Sequence, residues 1–426
     1  MTLAIFLSVL LFAIMLRLPV AFALLLSSIA LMFYMDSFRV DIVAQSLING
    51  VDSFPLLAIP FFLVAGEVMS VGGLSARIVR MATTFVGHRK GGLGYVAIFT
   101  SVLLAGLSGS AVADAAALVS ILYPMMKQAG YPEGRSMGLL ASGGIIAPVI
   151  PPSLPLILVG VAGGISIKDL FLGGIVPGLL MGLTLVIVWS VLVRNEDLPV
   201  ASKAPVAEKM AALKDGIWAL MMPIMIIGGI RFGVFTPTEA AVVAAVYALF
   251  ISTFIYREMT WIKLYLVLKN AGRATAMVMF LVGCAMVAAW LITVAQLPQQ
   301  LAALLEPLID NPRTLMLVIM LLVLAVGMVM DLAPTVLILV PLLMPVIKLA
   351  GIDPVYFGLM FIINCSIGLI TPPVGNVLNV VCGVGRVPMS KAVKGVSPFL
   401  AAYLVLLGLF IAFPNIIIVP MKVIIG

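Results

Sequence analysis

The sequence predicts an all-α polytopic membrane protein of two inverted repeats, with about ten spans, two re-entrant hairpins and broken helices. Three observations predict this fold. The 426-residue chain is 63% hydrophobic and only 10% charged, and its apolar runs recur from end to end. Glycines and prolines recur at a fixed offset of 221 positions. Equivalent loops of the two halves carry opposite charge biases, as loops on opposite sides of a membrane do.

Apolar stretches between short polar or basic segments predict the spans. No polar region or small-residue cleavage site separates the first 34 residues from the rest of the chain, so we expect spans there and no cleavable signal peptide. The predicted spans are 2–16, 19–34, 54–73, 137–163, 171–193, 217–231, 236–256, 274–296, 355–383 and 396–420.

The repeat is carried by residues that mark turns and helix breaks. Gly106 matches Gly327, and Pro151–Pro152 match Pro372–Pro373, with no gap needed between 106 and 177. Interrupted hydrophobic segments at matching places are typical of secondary transporters. We expect a first repeat over 1–193, with scaffold spans in 1–73, and a second repeat over 217–426.

The loop charges predict that the repeats are inverted. Basic residues concentrate in 77–90 and 257–273, whereas the equivalent stretches 298–313 and 35–50 hold few. Placing the N-terminus outside and the polar linker 194–216 in the cytoplasm puts most of the 24 Lys and Arg residues on the cytoplasmic side. The formal charge of +7 is thereby assigned to membrane loops, and no nucleic-acid partner is expected.

Two segments, 92–127 and 314–347, are too long for one span and are polar in the middle. We interpret each as a re-entrant hairpin, with tips at "GLSGSA" (106–111) and "MDLAPT" (330–335). Backbone that is not helical is tolerated at membrane depth only where protein or a watery cavity satisfies its hydrogen bonds. The tips are therefore candidate functional segments.

The broken helices 137–163 and 355–383 are interrupted at "APVIPPS" (147–153) and "ITPPVGN" (370–376). Prolines free the carbonyl groups upstream of them. Freed carbonyls beside Ser, Thr or Asp oxygens make a hard-cation site that suits sodium, and the helix N-terminus after each break suits an anionic group. Each half therefore offers one tip, one break and one candidate ion site.

Other roles remain open for the polar residues. Asp331 either ligates a cation or caps a helix, and Asp114 can likewise cap the returning arm. Hydroxyls and amides at membrane depth serve helix packing as readily as ligand binding. That alternative covers Ser108, Ser110, Thr371, Asn364, Asn376 and Asn379, and Glu67 is left without a predicted role.

Catalytic and metal-binding patterns are missing from the sequence. Cys284, Cys365 and Cys382 fall in apolar runs without metal-ligand spacing, and the single histidine, His88, lies in a basic loop. In "FTPTEAA", Thr236, Pro237 and Glu239 have the spacing of a capping box. We therefore expect no enzyme activity.

Five ordered motifs, "GLSGSAVADAAA", "GGIIAPVIPPS", "GVFTPTEAA", "GMVMDLAPT" and "INCSIGLITPPVGNVLN", carry a family resemblance over essentially the whole chain. The sequence resembles the large membrane (M) subunit of tripartite ATP-independent periplasmic (TRAP) transporters. "GIDPVYFGLMFIINCSIGLITPPVGNVLN" is further similar to permeases for keto-sugar acids such as diketogulonate.

The resemblance implies a multi-pass protein of the bacterial inner membrane, in which the N-terminus placed outside by the loop charges is periplasmic. The implied partners are a small membrane (Q) subunit, expected here as a separate chain, and a periplasmic substrate-binding (P) protein. The implied substrates are organic acids such as C4-dicarboxylates, sialic acid or other sugar acids. The implied mechanism is an elevator driven by a sodium gradient, with sodium ions as coupling ions and no other cofactor.

The family's sites carry over by motif. The first sodium site then falls at Ser108, Gly109, Ser110, Pro148 and Pro151, and the second at Asp331, Thr335, Thr371, Pro372 and Gly375. Substrate-binding candidates are Ser153, Asn364 and Asn376. One alternative is a standalone sodium- or proton-coupled anion symporter that needs no binding protein. An intramembrane enzyme is a second alternative, and a hydrolysis assay would reveal it.

Overall fold

The computed structural model describes residues 2–194, 196, 198, 200 and 202–425, apart from the side chains of Leu3 and Leu107. Residues 195, 197, 199 and 201 of the predicted linker lie outside the described residues. Everything described is helix, turn or irregular backbone, without a strand. The predicted all-helical fold class is thus confirmed over this part of the chain.

Ten helices make up the first half of the described chain. They are α1 (Thr2–Met15), α2 (Val20–Tyr34), α3 (Val40–Val51), α4 (Ala58–Val71), α5 (Leu74–Val86), α6 (Gly92–Ser108), α7 (Ala111–Gln128), α8 (Glu133–Gly144), α9 (Leu154–Gly163) and α10 (Ile167–Val193). A 3₁₀ turn at Phe54–Leu57 leads into α4.

Ten helices follow in the second half. They are α11 (Val206–Arg231), α12 (Pro237–Phe250), α13 (Trp261–Val294), α14 (Leu297–Ile309), α15 (Pro312–Gly327), α16 (Leu332–Leu349), α17 (Pro354–Gly368), α18 (Asn376–Gly385), α19 (Met389–Ala412) and α20 (Asn415–Ile425). A π-helical turn at Ile251–Ile255 extends α12.

The helix boundaries repeat at the sequence offset. Adding 221 to the bounds of α7 gives those of α16, and the bounds of α6, α8, α9 and α10 fall within a few residues of α15, α17, α18 and α19. The bonds Pro151–Pro152 and Pro372–Pro373 are both cis. One difference between the halves is that α13 runs unbroken for 34 residues, whereas the equivalent first-half stretch is divided between α3 and α4.

Seven helices in the described chain are long and apolar enough to cross a membrane. Six of them coincide with predicted spans, and the seventh is α16 in the second hairpin. The predicted spans 2–16 and 19–34 are shorter apolar helices, and 137–163 and 355–383 are each divided in two, as their proline breaks predict. The predicted span 396–420 also divides, because Pro414 separates α19 from α20.

Four stretches that were predicted as loops between spans contain helix. They hold α3, α5, the start of α13, and α14. Their charged residues suggested loops, but apolar residues recur along one side of α3, α5 and α14. In α5, Leu74, Ile78 and Met81 are buried. These helices pack against the long spans, so α5 contacts α11 and α3 contacts α13.

The hairpins and broken helices of the two halves interlock. The returning arm α7 packs against α18 of the other half, and α16 packs against α9. We call α6–α9 and α15–α18 the interlocked body, and α1–α5 with α11–α14 the frame. The frame contacts the body mainly through α5 and α4 on α6, and through α13 and α14 on α16.

Candidate functional site

The first hairpin turns between α6 and α7. Gly109 adopts left-handed backbone with a φ of +62°, and Ser110 caps α7 by accepting a hydrogen bond from the Ala113 N–H at 3.4 Å. The Ser108 hydroxyl donates a hydrogen bond to Oδ1 of Asp114, which is 5% exposed. Oδ2 of Asp114 accepts no hydrogen bond from any residue the structure describes. A buried oxygen without a partner fits a cation ligand.

The first proline break lies against that tip. A Cβ atom at Gly109 would lie 2.7 Å from the Pro152 carbonyl oxygen, so only glycine permits this approach. Ser153 is fully buried. Its hydroxyl donates to the Pro148 carbonyl oxygen at 2.5 Å and accepts from the Leu156 N–H at 3.4 Å. Ser153 therefore caps α9 and satisfies one of the carbonyls of the break.

Pro148 and Pro151 are both buried within this break. The Pro151 carbonyl oxygen faces α6, because a Cβ atom added at Gly106 would lie 3.6 Å from it. The five residues predicted for the first sodium site are thus distributed over two segments in close contact. This predicted set contains no acidic residue, and the carboxyl group of Asp114 lies next to it through its hydrogen bond from Ser108.

The second tip is organised around Asp331. Its Oδ1 accepts a hydrogen bond from the Leu332 N–H at 2.9 Å, and the Thr335 hydroxyl donates to the Asp331 carbonyl oxygen at 2.8 Å. Asp331 is exposed, whereas Thr335 is fully buried. The capping role that the sequence left open for Asp331 is therefore present, and the cap uses Oδ1 of the carboxylate.

The second break contacts this tip through its backbone. The Gly375 N–H donates to the Met328 carbonyl oxygen at 3.3 Å, and Gly375 has a φ of +54°. Thr371 donates its hydroxyl to the Ile367 carbonyl oxygen at 2.7 Å. Pro372, between them, is half-buried. Each break therefore lies against the hairpin tip of its own half.

A cavity of about 290 Å³, here called the central cavity, lies where both tips and both breaks meet. Its wall includes the first residues of four helices: Ala111 and Val112 of α7, Leu154 and Pro155 of α9, Leu332 and Ala333 of α16, and Asn376 of α18. Helix N-termini carry partial positive charge and unpaired N–H groups. Four of them at one cavity favour an anionic ligand.

The three substrate-binding candidates occupy different environments. Asn376 lines the central cavity, whereas neither Ser153 nor Asn364 is among its lining residues. The Asn364 amide donates to the Met320 carbonyl oxygen at 2.5 Å and joins α17 to α15. Its side chain is fully buried. The interhelical role left open by the sequence is therefore present for Asn364.

Glu67 had no predicted role, and the structure gives it a distinct setting. A second cavity, of about 260 Å³, has both Glu67 and Asp114 in its wall. No group of three or more His, Cys, Asp or Glu side chains suited to a metal ion occurs in the described part of the chain. The chemistry around the tips is therefore that of oxygen donors and helix ends, which suits hard cations and organic anions.

An ion-pair cluster lies at the start of α8. The Lys391 ammonium donates to Oε2 of Glu133 at 2.9 Å, and Lys127 lies 3.6 Å from Oε1. The hydrogen bond to Lys391, reinforced by the charge of that ammonium, lowers the pKa of Glu133 below its ordinary value. The pair joins α8 to α19 across the two halves.

The fold and the converging helix ends define a class: an integral membrane protein of two related halves with broken helices around a shared cavity. Comparison with known proteins agrees. The described fold is similar to that in the crystal structure of the Alcanivorax borkumensis YdaH transporter, with a TM-score of 0.61 and 16% identity over 87% of this chain and 88% of that one.

The family model for the DctM component of the tripartite ATP-independent periplasmic transporter matches residues 7–416. The chain belongs to this family of large TRAP permease subunits. It is 56% identical to the 2,3-diketo-L-gulonate TRAP transporter large permease protein YiaN of Escherichia coli, over 99% of both chains. It is 40% identical to the sialic acid TRAP transporter large permease protein SiaM of Vibrio cholerae, over 93% of both chains. It is 38% identical to the C4-dicarboxylate TRAP transporter large permease protein DctM of Pseudomonas aeruginosa, over 88% of both.

Proposed function

We propose that this subunit imports an organic acid, coupled to sodium and dependent on a periplasmic binding protein. The observation that carries the proposal is the central cavity, where four helix N-termini meet beside the two hairpin tips. The named relatives act on diketogulonate, sialic acid and C4-dicarboxylates, all of which carry carboxylates. A sugar acid or dicarboxylate is therefore the proposed substrate class.

Asp331 gives a physical reason for coupling. Its carboxylate lies in the wall of the central cavity and repels an anion there. A sodium ion held by Asp331 with the predicted ligands Thr335 and Thr371 would remove that repulsion. Anion and cation then bind better together than either does alone, which is the requirement for symport.

The first proposed sodium site uses the oxygens around Asp114. Oδ2 is buried and has no partner among the described residues, while Ser108 and the break carbonyls lie within the same contact region. A cation there compensates a buried charge that is otherwise costly. Both proposed sites use oxygen ligands, which suit a sodium ion.

An elevator motion is the proposed mechanism. The interlocked body packs α7 on α18 and α16 on α9, so both tips and both breaks move together if the body slides against the frame. The proposed partners are a small membrane subunit on the frame and a periplasmic binding protein that delivers the substrate. The proposed orientation places the N-terminus in the periplasm, with the protein in the bacterial inner membrane.

Reconstitution tests the proposal. The large subunit, its small subunit and its binding protein are placed in liposomes and supplied with radiolabelled diketogulonate, C4-dicarboxylate or sialic acid. We expect accumulation of one of these acids only with an inward sodium gradient and with binding protein present. Uptake that is indifferent to sodium contradicts the coupling. Uptake by this chain alone identifies a standalone symporter.

Asp331→Ala and Asp331→Asn separate capping from charge in the same assay. Asn retains the N-cap and loses the charge, whereas Ala loses both. We expect both variants to need more sodium for half-maximal uptake. Unchanged sodium dependence in both removes Asp331 from the proposed second site.

A further inference from the structure

The second cavity, of about 260 Å³, lies between α4 of the frame and the first hairpin, and we call it the side cavity. Residues of α4 and of α7 that line it recur at the spacing of adjacent helical turns. Its wall includes Gly66, Glu67 and Ser70 on α4, Ser75 on α5, and Asp114 and Ala117 on α7. Small residues on both helices leave the space open.

The ionisable side chains in the wall of the side cavity are all acidic. Its wall contains the carboxylates of Glu67 and Asp114 and no Lys or Arg. Glu67 is half-buried and makes no ion pair with any other described residue. Asp114 is 5% exposed, and its Oδ2 has no hydrogen-bond partner in the described chain. A cleft with one sign of charge concentrates ions of the opposite sign.

The side cavity and the central cavity share Ser108 and Ser110 of the first tip. On the central side, four helix N-termini favour an anion. On the other side, Glu67 and Asp114 favour a cation. The first tip therefore lies between the two cavities, and a cation in the side cavity is next to Asp114 without entering the central cavity, whose wall holds Asp331.

We propose that the side cavity is a cation vestibule, in which Glu67, with the hydroxyl of Ser75, forms an outer binding site for a monovalent cation on its way to Asp114. The inference rests on the proposed cation coupling and adds a route and a residue to it. Glu67 lies on the frame and Asp114 on the body, so the outer site also bridges the two parts.

Charge-selective labelling of the complex tests the vestibule without measuring transport. Ser70→Cys is introduced into a Cys382→Ser background, because Cys382 is the half-buried native cysteine while Cys284 and Cys365 are buried. We expect a cationic methanethiosulfonate to react about tenfold faster than an anionic one of similar size, because the cavity concentrates cations. Sodium should slow the cationic reaction.

The role of Glu67 is tested by adding Glu67→Gln or Glu67→Asp to Ser70→Cys. Gln should bring the two reaction rates close together, and Asp, which keeps the charge, should preserve most of the difference. Ala333→Cys in the central cavity is the matched control, and its rate ratio should not respond to Glu67→Gln. An unreactive Ser70→Cys, or a ratio that ignores Glu67, overturns the vestibule.

Sodium activation of uptake separates this inference from the proposed function. In Glu67→Gln, half-maximal uptake should need about tenfold more sodium, whereas Glu306→Gln, an exposed change on α14 outside both cavities, should match the wild type. If wild-type uptake is independent of sodium, the proposed coupling is wrong. If wild-type uptake depends on sodium and Glu67→Gln behaves like wild type, the vestibule alone is wrong.

Discussion

The two hairpins carry the same pair of side-chain types in opposite order. Ser110 caps α7 and Asp114 follows one turn later, whereas Asp331 caps α16 and Thr335 follows one turn later. The positions are equivalent at the 221-residue offset. The carboxylate is therefore buried beneath the first tip and exposed at the second. The repeat therefore keeps the same backbone plan in both halves, while the burial of the carboxylate differs between them.

The proline breaks differ in the same sense. The first break is buried from residue 145 to 153, whereas Pro373 and Val374 of the second are exposed. Ser153, which caps α9, is replaced at the equivalent position by Val374, and α18 begins instead after Gly375 in left-handed backbone. The proline break of the first half is therefore buried, whereas that of the second half is partly exposed.

Gly109→Ala should produce the largest loss of stability, because it disrupts the contact between the first hairpin tip and the first proline break. The new Cβ atom would meet the Pro152 carbonyl, and left-handed backbone adds strain, so we expect a loss of about 2–4 kcal/mol. Thermal unfolding in lipid nanodiscs and uptake in liposomes measure it. Gly130→Ala is the matched control, because Gly130 has a φ of +77° and no atom within 4 Å. Equal losses at both positions would show that contact with the break is unimportant.

Removing charge compares the two acids directly. Asp114→Asn should raise the sodium concentration for half-maximal uptake at least tenfold, because electrostatic interactions are stronger at a buried position. Asp331→Asn should raise it by about threefold, since the exposed site is screened by water. Sodium titration of uptake provides the measurement. Equal shifts, or a larger one for Asp331→Asn, would contradict the difference in depth.

Removing a cap probes the breaks. Ser153→Ala eliminates the hydrogen bonds to Pro148 and Leu156, and we expect about 1–2 kcal/mol of destabilisation. Val374→Ala at the equivalent, exposed position should cost under about 0.5 kcal/mol. Thermal unfolding of both variants measures the contrast, and a Val374→Ala loss as large as that of Ser153→Ala would contradict it.

The smallest effect should come from Glu133→Gln. The equivalent of the Glu133–Lys391 pair in the other half is the apolar pair Pro354 and Leu170. Because the ion pair is exposed, the variant should shift Tm by about 1 °C or less. The pKa of Glu133 is lowered in the folded protein, so its contribution is present above the ordinary carboxyl pKa and is lost as pH falls through the lowered one. The melting curves of wild type and variant should differ by a constant small amount above the ordinary carboxyl pKa and converge only as pH falls through the lowered pKa of Glu133.

Residues that mark breaks made most of the fold predictable from sequence. The tips, the proline pairs and the 221-residue offset required only Gly, Pro and polar residues inside apolar runs. The capping box at Thr236 and Glu239 is confirmed. The amphipathic helices α3, α5 and α14 were missed because charged residues on one face conceal the apolar face when composition alone is considered.

The candidate site was less accessible to sequence reasoning. Ser108, Ser110, Asp331 and Asn376 line one cavity because both tips meet there, and a contact between halves leaves no local signal. Glu67 lies in an apolar helix without a partner nearby in sequence. Only the three-dimensional structure shows that it lines the same cavity as Asp114 of α7. Whether an asparagine such as Asn364 faces a cavity or a neighbouring helix likewise depends on packing.

The unbroken α13 constrains how the second hairpin can move. At 1.5 Å per residue, its 34 residues form a rod about 51 Å long, well beyond a hydrocarbon layer of about 30 Å. It packs against α2, α3 and α4 of the frame and against α16 of the second hairpin. If the second hairpin slides, it therefore moves along a helix of fixed length, whereas the division between α3 and α4 gives the equivalent stretch of the first half a point at which it can bend.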